Sequence, residues 1–304
     1  MTDHTTQGPE DPPARAHVRP APSVPPFEER LDGGAESGDL LLTTTGARTG
    51  RESVTPLGYL RIEGRLLVVA ASAGTTHEPD WYHDLLAHPL VVVEVDATTF
   101  EAVAVPAEGA ERDRWCEEIV RRTHGAGDGE ARSGGRFPVV ELQPCADTSP
   151  TEITTLAGKL FEVHGWLRGQ LDRVRDEAET YLAGRARAGA PVGLGLQIRQ
   201  HCLAFCTSLH VHHTGEDTMF PRLAEGYPHL RESIERLMAE HRVVDRIRGE
   251  LERLLSDLAD ADPDHFRAEL DRMAEQLYTH LEFEEEHLIP VLSRIPFPPP
   301  APAG

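Results

Sequence analysis

LHVHHTGEDTMFPRL, residues 209–223, places Leu209, His212, Glu216, Phe220 and Leu223 at spacings of three and four, the period of one face of an α-helix. Upstream the same face continues through Cys202 and Phe205, so His212 and Glu216 stand where core residues belong. Three other stretches repeat the pattern. Leu160, Val163, Leu167, Leu171 and Val174 form a stripe edged by His164. Leu230, Ile234, Leu237, Val244, Leu251 and Leu255 form one interrupted by His241. Phe266, Leu270, Met273, Leu277, Leu288 and Val291 form one interrupted by His280 and Glu284. The periodicity predicts helices over about 152–184, 196–225, 229–259 and 263–293, separated by GAP at 189–191, Gly226 and the Asp262-Pro263 step. Four helices of this length with short connections make an all-α up-down four-helix bundle.

The polar residues on those stripes point to chemistry. Side chains four apart on a helix rise about 6 Å and face the same way, so His212 with Glu216, and His280 with Glu284, can each grip one cation. Burying such groups unpaired costs several kcal/mol each. Imidazole and carboxylate together suit iron, manganese or zinc, and convergence from four helices is how bundles build two-metal sites. A buried histidine–carboxylate network without metal is the alternative. His213, next to a candidate ligand, is expected outside the ligand shell or exposed, with a place among the metal ligands as the lesser alternative. His201, His210, His229 and His265 read as surface or loop histidines, and Cys202 and Cys206 as small core fillers. The run Glu284 to Glu286 reads as a solvated face except at Glu284.

The first half has a different texture. A Pro-rich arm (1–38) precedes short β-rich runs: LLLTTTG (40–46), TPLGYLRI (55–62), RLLVVAAS (65–72), LVVVEV (90–95), FEAVAV (100–105) and FPVVEL (137–142). Two helical pieces interrupt them, at 81–88 and 110–122, and the polar segment 143–152 reads as a domain junction. The fold class is therefore α+β in two domains: a β-barrel over 39–145, then the helical bundle over 152–294, with a short disordered tail at 295–304. In the barrel, GARTG (46–50) is a glycine-bracketed turn presenting Arg48 and Arg51, and a second turn at 72–74 precedes a helix. Loop glycines, arginines and a helix N-terminus suit an anionic, phosphate-bearing cofactor. Trp81 reads equally well as a site residue or a core anchor, whereas Trp115 and Cys116 read as core.

Composition narrows the function. Thirty basic residues against 51 acidic ones give a net charge of −21, which disfavours nucleic-acid binding through a basic face. No apolar run reaches the length of a membrane span, and the N-terminus lacks a signal-peptide pattern. Four cysteines agree with a reducing compartment, so a cytoplasmic location is expected.

Two resemblances sharpen these expectations. HGWLRGQL (164–171), LHVHHTGEDTMFPRL, AEHRVVDRI (239–247) and HLEFEEEHLIPVL (280–292) resemble the hemerythrin-like, HHE cation-binding domains. That resemblance implies a bridged di-iron centre with His164, His212, Glu216, His241, His280 and Glu284 as ligands. It also implies dioxygen, peroxide or nitric oxide as small partners. Where oxygen-carrying members place a further histidine, this chain has Asp245, a candidate ligand in its place.

LLTTTGARTGR, TPLGYL, AASAGTTHEPDWYHDLLAHPLVVVEV and FPVVEL resemble the deazaflavin (F420)-dependent nitroreductase family, whose fold is a split β-barrel. The resemblance implies binding of coenzyme F420, or of FMN as in related barrels. Arg48, Thr49, Gly50 and Arg51 would contact the phosphate side, Ala71, Ser72 and Ala73 would line the ring, and Trp81 and His83 would frame the site. A homodimer through the barrel is a candidate assembly that the sequence leaves open. Asp84 stands where asparagine is usual. Together the halves imply a two-domain redox protein, an oxidoreductase whose reductase module feeds a di-iron centre. One alternative is an oxygen- or iron-sensing protein with a degenerate barrel. Another is a quinone or nitro-compound reductase whose bundle protects iron.

Overall fold

A computed structural model of the chain describes residues 37–70, 78–96, 98–124, 137–145, 153–186, 194–256 and 263–297. Six strands form a closed antiparallel barrel: β1 (Ser37–Thr45), β2 (Glu52–Ile62), β3 (Arg65–Val69), β4 (Leu90–Val95), β5 (Thr98–Pro106) and β6 (Val139–Pro144). Around the barrel they run β1-β2-β3-β6-β5-β4, and pairing of Leu42 with Val93 closes it. Leu40 and Leu42 on β1, and Val91, Val93 and Val95 on β4, alternate into the interior as the two-residue strand period requires. The β2–β3 hairpin turns at Glu63 and Gly64, both with positive φ (53° and 80°), the backbone that the favoured two-residue hairpin turn demands.

Two helices accompany the barrel, α1 (Asp80–Ala87) and α2 (Gly109–His124). Trp115 and Ile119 of α2 cover the outward side chains Leu67 and Val139 of β3 and β6. Along β5 alternation is lost, and Ala102 to Pro106 are all buried. Ala102 and Ala104 face the interior, while Val103 and Val105 face outward onto Ala204 and Trp166 of the helical half. The AVAV part of that run, Ala102 to Val105, is thus buried on both faces.

The helical half consists of α3 (Leu156–Ala186), α4 (Leu194–Gly226), α5 (Arg231–Ser256) and α6 (Pro263–Leu292). Each packs on the next and α3 returns to α6, the closed order of an up-down bundle. Two apolar clusters fill it. One, around Leu171, Phe205, Leu251, Met273 and Leu277, lies at the barrel-side end, and the other, around Phe220, Leu237 and Leu288, lies at the far end. The polar interruptions of the four stripes sit between them. The tail is less free than its proline content suggests. Thr155 pairs with Pro296, and backbone hydrogen bonds join Leu156 N–H to Ile295 and Phe297 N–H to Thr154, so 295–297 are tied to the start of α3. Residues 1–36, the Asp262 cap and 298–304 lie outside the described residues. Among the described residues no helix is long and apolar enough to cross a membrane.

Candidate metal centre and cofactor face

The four interrupted stripes meet at mid-bundle in two overlapping groups. One contains His164 of α3, His212 and Glu216 of α4, and Glu284 of α6; the other contains His213 and Glu216 of α4, His241 of α5 and His280 of α6. Within each group the potential ligand atoms lie within 4.8 Å of one another. Glu216 belongs to both, and its oxygens divide between them: Oε1 is 3.2 Å from His212 Nε2 and Oε2 is 3.4 Å from His241 Nε2. Glu284 Oε2 lies 3.5 Å from His164 Nε2 and 3.8 Å from His280 Nε2. Both carboxylates therefore stand between the groups, the position of a bridge.

Protein atoms alone leave this cluster unsatisfied. Nε2 of His213, His241 and His280, and both carboxylate oxygens of Glu216 and Glu284, are buried without a hydrogen-bond partner. Orphaned groups of this kind are rare in folded proteins, and an absent ion is one standard explanation. All the orphaned atoms are nitrogen or oxygen donors converging on one volume, which fits a pair of cations. Burial keeps His212, His213 and His280 neutral, with lone pairs available. It pushes His212 down to about 3, and it lowers His213, assisted by the neighbouring imidazoles, and His280. Burial and the adjacent Glu284 push the Glu216 carboxyl well up. Burial also acts upward on Glu284, but His164 and Glu216 beside it outweigh that and hold it low.

His213, Asp245 and Glu285 fall in places other than those expected. His213 is buried in the cluster, its ring stacked on His241 at 4.0 Å between centroids. Adjacent residues are 100° apart around a helix, so His212 turns towards His164 of α3 and His213 towards His241 of α5. Asp245 does not reach the cluster. It is half-exposed, bonded to Arg248 at 2.6 Å and 3.8 Å from His210, while Val244 takes the inward position. Glu285, read as solvated, is mostly buried and accepts from His164 Nδ1 and Arg168, both at 2.8 Å.

His201 is the other departure. Instead of lying at the surface it is buried where the domains meet, 2.8 Å from Glu177 through Nδ1 and 3.1 Å from Gln143 Oε1 of β6 through Nε2. Arg173 donates to the same Gln143 oxygen at 2.7 Å. The signal missed was the apolar outer face of β5, which required a partner. His210 is exposed, as are His229 and His265, and Cys202 and Cys206 are core. A pocket of about 190 Å³ opens between α4 and α5 over His213 and His241, with Asp217, Asp245 and Arg248 among its walls.

On the barrel, the Gly46–Arg51 turn is closed by hydrogen bonds from Gly46 N–H to Arg51 and from Gly50 N–H to Gly46. Gly50 has φ 63°, a backbone that favours glycine, and a Cβ on Gly46 would collide with Thr49 Oγ1 and press on the Arg51 carbonyl at 3.2 Å. Asp84 of α1 accepts from Ala47 N–H at 2.8 Å, tethering the turn to the helix. Arg48 and Arg51 are exposed and, among the described residues, in no ion pair. Trp81 lies in the barrel core while His83, two residues on, is exposed near Glu78; the structure does not bring the two together. Ala71, Ser72 and Ala73 lie outside the described residues.

Both halves match known families. Residues 28–144 match the model of the F420H(2)-dependent quinone reductases, and residues 155–292 that of the hemerythrin HHE cation-binding domain. The chain thus carries, in succession, a stretch similar to each of the two. In the reductase-like barrel, 84 residues are 38% identical to an F420H(2)-dependent quinone reductase of Mycobacterium tuberculosis, in strains H37Rv and CDC 1551 alike. That match covers 28% of this chain and 55% of the relative, so the chain spans about half the length of the curated proteins it matches. A solved F420-H2 dependent reductase, FDR-A, is 27% identical over 34% of this chain and 93% of its own, with a TM-score of 0.30.

Proposed function

We propose that this two-domain redox protein joins an F420-dependent reductase module to a di-iron centre in its hemerythrin-like bundle. The observation that carries the metal reading is the pair of four-residue groups sharing Glu216, with their inward nitrogens and oxygens orphaned. His164 and His212 would hold one ion, His213, His241 and His280 the other, with Glu216 and Glu284 between them. Bound iron would supply Lewis acidity and one-electron redox chemistry towards dioxygen, peroxide or nitric oxide. The chain's own part is to present neutral imidazoles, to exclude water with the apolar clusters on either side, and to balance the cations with two buried carboxylates.

In the barrel, the free guanidinium groups of Arg48 and Arg51 would take the anionic arm of the deazaflavin, which supplies hydride when reduced. Asp84 fixes their turn from α1, so this residue has a structural task where the family uses asparagine. That tether favours a working cofactor face over a degenerate one. The packing of Trp166 and Ala204 on β5 supports coupling between the modules.

Metal analysis together with the visible spectrum of the purified protein tests the first half. Two irons per chain and a bridged di-ferric spectrum are expected; a protein that binds no iron after anaerobic reconstitution overturns it. Fluorescence titration with F420 and with FMN tests the second half, and no response to either favours the sensing alternative.

A further inference from the structure

Three carboxylates outside the two ligand groups each accept a hydrogen bond from the Nδ1–H of a clustered histidine. Asp217 accepts from His241 at 2.7 Å, Glu240 from His280 at 3.0 Å, and Glu285 from His164 at 2.8 Å. Each acid is the chain neighbour of a clustered residue: Asp217 follows Glu216, Glu240 precedes His241, and Glu285 follows Glu284. A step of one residue turns 100° about a helix. An acid beside an inward-pointing residue therefore lies in the seam with the next helix and reaches that helix's imidazole. The result is directional around the bundle: α4 braces α5, α5 braces α6, and α6 braces α3. Among the described residues no carboxylate faces Nδ1 of His212 or His213, so the circuit stops at α4.

We propose that Asp217, Glu240 and Glu285 are positioning residues that lock His241, His280 and His164 in the Nδ1–H tautomer, aim each Nε2 inward and raise its strength as a metal donor. This rests on the metal reading above. The orphaned Nε2 atoms of His241 and His280, and the approach of His164 Nε2 to 3.1 Å from His212 Nε2, are what that tautomer leaves for a cation. The three braces differ in charge environment. Glu240 is paired with Arg236 and Glu285 with Arg168, both at 2.8 Å. Asp217 has no guanidinium partner among the described residues and stands in the wall of the α4–α5 pocket. Asp217 is also the most exposed of the three, so water shares its charge where arginines share that of the other two.

The test is anaerobic titration of the full-length protein with iron(II) against a competing chelator, followed by the midpoint potential of the bound iron. Asp217→Ala, Glu240→Ala and Glu285→Ala should each weaken binding about 10–100-fold. Asp217→Asn, Glu240→Gln and Glu285→Gln keep an acceptor oxygen and should fall in between, so they decide the matter if an alanine variant does not fold. All three should move the potential in the positive direction. Glu286→Gln, an exposed acid on the same helix, should match wild type. A wild type that binds two irons, with all brace variants within twofold of it in affinity and unshifted in potential, overturns the proposal. A wild type that binds none overturns the metal reading on which the proposal stands.

Discussion

Replacing Glu216 with methionine separates a metal centre from a structural ion-pair network, because the two assign opposite signs to the change in the metal-free protein. Both Glu216 oxygens are buried without a hydrogen-bond partner. Leaving such a group unsatisfied costs about 1–3 kcal/mol; two oxygens at the low end give ~2 kcal/mol held against the fold until a cation arrives. Methionine has similar length and no polar oxygen, so metal-free Glu216→Met should be about 2 kcal/mol more stable than metal-free wild type. For a domain of this size 1 kcal/mol moves the midpoint by about 2–4 °C, so the variant should melt ~4–8 °C higher after chelation. Added zinc(II), a redox-inert probe, at one hundred times its dissociation constant stabilises wild type by about 2.7 kcal/mol per site. The variant, having lost the residue common to both groups, should gain little. Thermal unfolding of both proteins, chelated and zinc-loaded, reads all four quantities. The reasoning is refuted if the chelated variant is destabilised by about 3–5 kcal/mol, the cost of breaking a real buried pair, and zinc leaves wild type unmoved.

Burial holds His212 at about 3 in the folded state against about 6.5 unfolded. The unfolded chain therefore binds the extra proton between these values, and metal-free stability falls as pH drops below about 6.5, by ~1.4 kcal/mol per unit from this group. The stability difference between wild type and His212→Leu should follow that slope in pH-dependent melts; a difference constant from pH 4 to 7 would contradict it. Arg48→Ala combined with Arg51→Ala removes two exposed charges, so the melting point should hold within about 1 °C. F420 affinity, read by fluorescence, should drop at least tenfold, since a charge-assisted hydrogen bond contributes about 1.5–3 kcal/mol; unchanged affinity sinks the assignment. Trp166→Ala, at a partly buried side chain, should cost about 1–3 kcal/mol, less than a fully buried large-to-small change, and X-ray scattering should show a larger radius of gyration as the domains separate. A variant that keeps both stability and dimensions would mean that the β5 contact does not hold the domains together.

The bundle was legible because its signal is long. The stripes run from about four turns (Leu160 to Val174) to about seven (Leu230 to Leu255, Phe266 to Val291), and a polar pair such as His280 and Glu284 is conspicuous only against that length of apolar period. What could not be read was azimuth within a turn. His212 and His213 are adjacent letters, and only the placement of α3 on one flank and α5 on the other shows that both rings turn inward. Glu285 fails the same way, since EEE carries no mark of which carboxylate meets His164. Asp245 shows the converse: the resemblance offered it as a ligand, but Arg248 within reach holds the carboxylate outward. In the barrel the strand runs were legible from β-branched clusters and breakers, yet the solid apolar run of β5 did not name its partner, and His201 was misplaced for the same reason.

That partner gives the two halves a common element. His164 and Trp166 are two residues apart on α3, hence about 200° apart around it. One points into the cluster beside His212, and the other packs on Val103 and Val105 of β5 with Ala204. Gly165 between them has open space where a Cβ would stand, so no packing demand of its own sets the rotation of this turn. The rotation is set by Glu285 and Glu284 pulling on His164 from one side and by the barrel seating Trp166 on the other. A single helical turn is therefore shared between the candidate metal centre and the domain interface, and a substitution at either end perturbs both.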